Sequence, residues 1–157
     1  VDRVKLLAEL TEDEGRRVHP YKDSRGIWTA GIGHNLEAAK ASWSDISVWL
    51  KTGVPDQVIV GWYNDDVNKS VACCREIFHW QDEHDVDCGY DSLPDNVQRV
   101  LVNMAFVLRF NLLYWHDLKE AIVNKDWRAA AMSIMSSKFA HEAPNRCSRL
   151  AARMIQG

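Results

Sequence analysis

Apolar side chains between residues 3 and 14 fall at Val4, Leu6, Leu7 and Leu10, the spacing of an amphipathic helix. Gly15 follows at the position where helices commonly end on a glycine, so Glu14 is expected at the helix terminus, beside a chain reversal. Residues 16–34 change period. Pro20 rules out a continuing helix, Asp23 to Gly26 (DSRG) reads as a hairpin turn with its glycine in the left-handed region, and Trp28, Thr29 and Ile32 favour strand. The pattern predicts a small antiparallel sheet in which Gly31 and Gly33 let another group approach the backbone closely.

The remainder reads as helical. Pro55 and Asp56 resemble a helix start, and Val58, Trp62, Val67, Val71, Cys74 and Phe78 recur at helical spacing, predicting one long helix over about 55–79. Residues 82–91 (DEHDVDCGYD) read as an acidic surface loop. The stretch 92–106 opens another helix, with Ser92 or Leu93 near its cap and Val97, Leu101, Met104 and Ala105 on its apolar face. Asp126 is expected to cap a helix over 127–137, and Pro144 to start the last one. No internal repeat or low-complexity tract interrupts this order. The expected class is α+β. Residues 1–157 form one domain in this reading: a sheet-containing lobe over 1–54, helix 55–79 as connector, and a helical lobe over 80–157, with a cleft between the lobes.

Composition adds one asymmetry. The formal charge is -3, yet residues 1–94 carry ten Lys and Arg against 17 Asp and Glu, whereas residues 95–157 carry nine against five. A basic second half suits approach to an acidic polymer, although an ordinary solvated surface gives the same pattern. The four cysteines, Cys73, Cys74, Cys88 and Cys147, lack the pairing of a secreted disulfide framework and are expected as thiols. No run approaches the ~18 apolar residues of a membrane helix, and the first residues lack the apolar core of a signal peptide.

Glu14 and Asp23 carry the candidate chemistry. If the strand between them folds back past the helix end, both carboxyls face one cleft. Glycoside hydrolysis needs such a pair, one protonated donor to the leaving oxygen and one base or nucleophile. The roles demand opposed environments: Glu14 against a helix end suits the buried acid, and Asp23 beside an exposed turn suits the ionised group. Thr29 on the returning strand offers a hydroxyl to hold a water near Asp23. Spacing alone is weak support in a chain with 22 acidic residues.

Residues 13–36, DEGRRVHPYKDSRGIWTAGIGHNL, resemble the phage-type lysozymes of glycoside hydrolase family 24, the T-even-phage lysozyme-like endolysins. The family pattern is a glutamate and a glycine followed at fixed distance by YxDxxGxxTxGxGH. Glu14, Gly15, Tyr21, Asp23, Gly26, Thr29, Gly31, Gly33 and His34 fill every position. Residues 90–106 are similar to the family's YDSL…NMxF helix, and 137–157 to its closing PNRxxR segment. Residues 37–54 and 109–116 are the least similar.

The resemblance implies a lysozyme-like fold and a muramidase that cleaves the β-1,4 bond between N-acetylmuramic acid and N-acetylglucosamine. Glu14 would be the acid, and Asp23 with Thr29 would direct a water, giving inversion. It implies Arg146 as partner of Glu14, against the alternative of an exposed arginine at a helix start. His34 is expected in a structural hydrogen bond or ion pair with Asp66 rather than as a base. Phe106 and Phe139 occupy segments similar to the cleft lining and are candidates for substrate contact, with core burial as the alternative. Trp62 is expected to pack, and Trp28 to face away from Thr29. No metal or organic cofactor is implied, since Cys73, Cys74, His79, His84 and Cys88 match no zinc spacing.

Two departures stand out. Between Phe106 and Leu118 the family has a glycine-rich turn, whereas VLRFNLLYWHD contains no glycine. The chain also stops at Gly157, short of typical relatives. The expected protein is a monomeric endolysin made in the host cytoplasm, reaching the wall in the periplasm once a separate protein permeabilises the membrane. Its partner is the glycan strand of bacterial peptidoglycan, with no nucleic acid and no stable membrane insertion. Rival readings are a non-catalytic peptidoglycan-binding virion module, a chitinase-like hydrolase and a transglycosylase.

Overall fold

A computed structural model describes residues 1–81, 84 and 87–157. Part of the acidic loop expected over 82–91, residues 82–83 and 85–86, lies outside the described residues. In chain order the elements are α1 (Arg3–Glu14), β1 (Arg17–Lys22), β2 (Trp28–Gly31), β3 (His34–Asn35), α2 (Trp43–Thr52), α3 (Asp56–Ile77), β4 (His79–Gln81), β5 (Asp87–Gly89), α4 (Asp95–Leu108), α5 (His116–Val123), α6 (Trp127–Met135), α7 (Lys138–Glu142) and α8 (Pro144–Met154). Short 3₁₀ turns precede α4 and α5. The class is the expected α+β. Among the described residues no helix is long and apolar enough to cross a membrane.

The chain divides into two compact units, residues 7–69 and residues 1–6 with 70–157, so that the divisions fall inside α1 and α3. In the first, β1, β2 and β3 form an antiparallel sheet in that order. The hairpin turns at Asp23–Gly26, where Gly26 has φ +80. Asp23 N–H donates to the Ile27 carbonyl at 3.0 Å and Gly26 N–H to the Asp23 carbonyl at 2.9 Å. The core of this unit includes Leu10, Ala30, Leu36, Ile46, Val54, Ile59, Tyr63 and Val67, all buried. Helix α2 starts at Ser42, whose hydroxyl caps the Asp45 N–H at 3.0 Å.

In the second unit α4 is the central helix. Val97, Val100, Leu101, Val102, Met104 and Ala105 are wholly buried on it, and α8 packs against α4, α6 and α7. Asp126 caps α6 through the Ala129 N–H at 2.9 Å, and Pro144 opens α8, both as expected. Helix α3 ends at Ile77, two residues before the expected stop. The next residues form β4 rather than helix, because Phe78 is buried and its carbonyl accepts from the Tyr90 N–H at 2.8 Å, drawing the two chain segments into a hairpin. The segment expected as loop therefore contains β5.

The glycine-free stretch after α4 turns on Arg109, at φ 51 and ψ -136, and runs on as a 3₁₀ helix over Arg109–Tyr114. A left-handed turn is still made there, by a residue with a Cβ. The stretch buries Leu112 and leaves Phe110, Leu113 and Tyr114 exposed.

Candidate active site

Helix α1 ends on Glu14, and Gly15 reverses the chain at φ +72 while its N–H donates to the Thr11 carbonyl at 2.9 Å. The reversal lays the Glu14 side chain over the backbone of Gly33. A Cβ built on Gly33 would stand 2.8 Å from Glu14 Oε2 and 3.1 Å from its Cδ. The close approach expected at the GIG glycines is thus made by the candidate acid. At Gly31 the same test meets Ile59 Cγ2 at 3.2 Å, so that glycine admits α3 instead. Glu14 is half-buried rather than buried, because it lies at a helix end against a glycine with no side chain to cover it.

Asp23 is held by its own turn. Its Oδ1 accepts from the backbone N–H of Arg25 at 2.8 Å and of Ile27 at 3.0 Å, and Arg25 Nη2 approaches Oδ2 at 3.3 Å. These contacts, the Ile27 N–H foremost, hold its carboxyl below the ordinary 3.8 and outweigh its partial desolvation. An ionised Asp23 is what the sequence led one to expect.

Thr29 is buried at 5% exposure and donates its hydroxyl to the Ile27 carbonyl at 3.1 Å. With that proton committed, its oxygen faces other groups as an acceptor. Thr29 lies opposite Tyr21 in the β1–β2 register, so both side chains share one face of the sheet. Lys22 and Trp28 pair on the other face, where Lys22 Nζ stands 5.5 Å from the Trp28 ring centroid. The Tyr21 phenol lies within electrostatic reach of both carboxylates. Burial raises its phenol above the ordinary 10.0, Arg17 opposes the rise, and Glu14 and Asp23 both add to it. Tyr21 belonged to the matched motif but was given no role. Its place two residues before Asp23, on the same strand face, was the available signal.

His34 Nδ1 is 2.6 Å from Asp66 Oδ2, the contact expected from sequence. Both residues are buried, and the imidazole stacks on Trp62 with centroids 4.5 Å apart and planes at 10°. Trp62 is half-buried and meets Trp49 edge-on at 5.3 Å, so it packs against rings rather than in the aliphatic core.

In the second unit Arg146 is 8% exposed and therefore no surface arginine. It donates to Asn103 Oδ1 from Nε at 2.9 Å and Nη2 at 2.7 Å, and from Nη2 to the Asn103 carbonyl at 3.0 Å. Sequence reasoning missed Asn103. The Arg146 guanidinium carbon stands 5.9 Å from the Phe139 ring centroid. Phe139 and Phe106 are both buried, at 6% and 7% exposure. Among the described residues no group of three or more His, Cys, Asp and Glu side chains is arranged to hold a metal.

A helix that ends on its glutamate, over a glycine of a small three-stranded sheet, places the fold in the lysozyme-like α+β class. No family model matches the sequence. Two proteins of Dictyostelium discoideum are similar to it. One, described as "Probable T4-type lysozyme 1", is 28% identical over 153 residues, covering 90% of this chain and 88% of the relative. The other, "Probable T4-type lysozyme 2", is 26% identical with the same coverage. The chain is T4-lysozyme-like, in keeping with the motif at residues 13–36.

Proposed function

We propose that the chain is a muramidase, hydrolysing the β-1,4 bond between N-acetylmuramic acid and N-acetylglucosamine in bacterial peptidoglycan. The observation that carries this reading is the seating of Glu14 at the end of α1 over Gly33 of the same small sheet whose hairpin turn holds Asp23 on two backbone N–H donors. The names of the two Dictyostelium relatives support the same activity.

Glu14 donates its proton to the leaving glycosidic oxygen. Asp23 is the base: Oδ1 is occupied by two backbone N–H groups, and Oδ2, met only by the exposed Arg25 guanidinium at 3.3 Å, takes the proton of a water as that side chain swings aside. Thr29, whose own proton is engaged, accepts the water's second hydrogen and orients it. A water activated opposite the leaving group gives inversion at the anomeric carbon. Phe106 and Phe139 are proposed to reach the glycan only through what little of their surface is open. In this reading the enzyme is a phage endolysin, made in the host cytoplasm and admitted to the periplasmic wall after membrane permeabilisation.

Mass spectrometry of fragments from purified Gram-negative peptidoglycan tests the proposal. Reducing N-acetylmuramic acid ends support it. Anhydro-muramic ends would make the chain a transglycosylase, reducing N-acetylglucosamine ends a different glycosidase, and no fragments from folded protein a wall-binding module.

A further inference from the structure

Strand β1 is not regular. Between the pairs Arg17–Gly31 and Tyr21–Thr29 it advances four residues while β2 advances two, so the extra residues bulge. In a straight strand, residues four apart stand about 13 Å from one another along the chain. Bulges bend a strand and re-aim its side chains, and here the guanidinium carbon of Arg17 comes to lie 4.3 Å from the centroid of the Tyr21 ring. Such a cation–π contact fixes the orientation of the head group while leaving its N–H edge open. The residue opposite Arg17 is Gly31, which contributes no side chain to that face.

The neighbouring arginines are engaged otherwise. Arg16 is ion-paired with Asp56, and Arg25 with Asp23. Arg17 is exposed, and among the described residues no carboxylate lies within ion-pair distance of it. It is therefore a planar fork of donors, held in place by an aromatic ring and, among the described residues, without a carboxylate partner. That ring is the one paired with Thr29 across the sheet, two residues before Asp23.

We propose that Arg17 is an anion-binding subsite beside the candidate active site, which takes a carboxylate of the stem peptide attached to N-acetylmuramic acid. The inference rests on the reading of Glu14 and Asp23 as a peptidoglycan-cleaving pair. Peptidoglycan is neutral along its sugar backbone and carries its negative charge on the peptides, so a cation at this place reads the peptide rather than the glycan. A guanidinium grips a carboxylate through two parallel N–H bonds, which an ammonium cannot reproduce.

The test compares wild type, Arg17→Gln, Arg17→Lys and, as a control for loss of one charge elsewhere, Lys125→Gln. The substrates are native sacculi and sacculi whose carboxylates have been amidated with carbodiimide and ammonia. Arg17→Gln is expected to raise KM on native sacculi by about three- to tenfold while kcat stays within about twofold. The penalty should vanish on amidated sacculi, where wild type itself falls to the mutant's level, and Arg17→Lys should recover part of the loss. Equal KM for Arg17→Gln and wild type on native sacculi, or an equal penalty on both substrates, would overturn the inference. If wild type releases no fragments, the cleavage reading fails separately. Co-sedimentation of wild type and Arg17→Gln with the two kinds of sacculi then decides for Arg17 alone, with preferential loss of binding to native material expected.

Discussion

Gly33 lies beneath the carboxyl of Glu14, close enough that a single methyl group on it would stand 2.8 Å from Oε2. Its φ of +65 also disfavours any side chain. The acid is thus seated where only glycine leaves room, and the seat belongs to the turn between β2 and β3 rather than to α1.

Gly33→Ala should consequently damage activity more than stability. Left-handed strain costs about 1–2 kcal/mol for a residue with a Cβ, and the flexible carboxylate escapes the clash by moving. Displacing a reacting group by about 1 Å costs roughly a hundredfold in rate. Gly26→Ala is the matched control, since Gly26 has φ +80 and nothing within 4 Å of a built Cβ. The account expects comparable thermal destabilisation in the two variants and a large loss of activity only in Gly33→Ala.

For Asp23 the sign of the pH dependence is fixed by its lowered folded-state pKa. A carboxyl depressed in the folded state adds stability that is present above the unfolded value and disappears as pH falls through the folded one. Its contribution should therefore be constant at neutral pH and fade only below about 3.8, as should any loss of activity through protonation of Asp23. An NMR titration of the Asp23 carboxyl should give a midpoint under 3.8, and Arg25→Ala should leave it there, because the Ile27 N–H is the larger cause. A midpoint at or above that value would contradict the account.

His34 and Asp66 are each under a tenth exposed and 2.6 Å apart. Removing either partner leaves a buried polar group without that bond, and alanine at either position should cost about 1–3 kcal/mol. The double alanine variant should cost less than the sum by about 0.5–3 kcal/mol, measured by denaturant unfolding. Additive losses would mean that the two do not act as a pair.

Lys125 closes α5 at φ 54 and is exposed. Glycine adopts this conformation without a Cβ penalty, at some cost in chain entropy, so Lys125→Gly should raise stability by about 0.5–1 kcal/mol. A lower melting temperature for this variant would show that the lysine is relaxed there.

Much of this arrangement was legible in the residues because it is set by local rules. Gly15 after an apolar helical stripe fixed the position of Glu14, DSRG located the hairpin, and Pro144 and Asp126 marked two helix starts. The His34–Asp66 contact was also foreseen. Helix α2 was not singled out, although Ser42 followed by Asp45 is a cap signature. The β4–β5 hairpin was missed because three-residue strands carry almost no periodic signal. Arg109 was opaque for another reason: nothing in an arginine's chemistry announces a positive φ, which here follows from the path the chain takes after α4. The Arg17–Tyr21 contact depends on a bulge, and register is invisible before strands pair.

The most direct test of the central claim is the specific activity of Glu14→Gln on purified peptidoglycan, read beside its melting temperature. The account predicts a fall of about 10²–10⁴-fold with the melting temperature held within about 3 °C. A folded Glu14→Gln that keeps activity within about threefold of wild type would contradict the assignment of Glu14 as the acid.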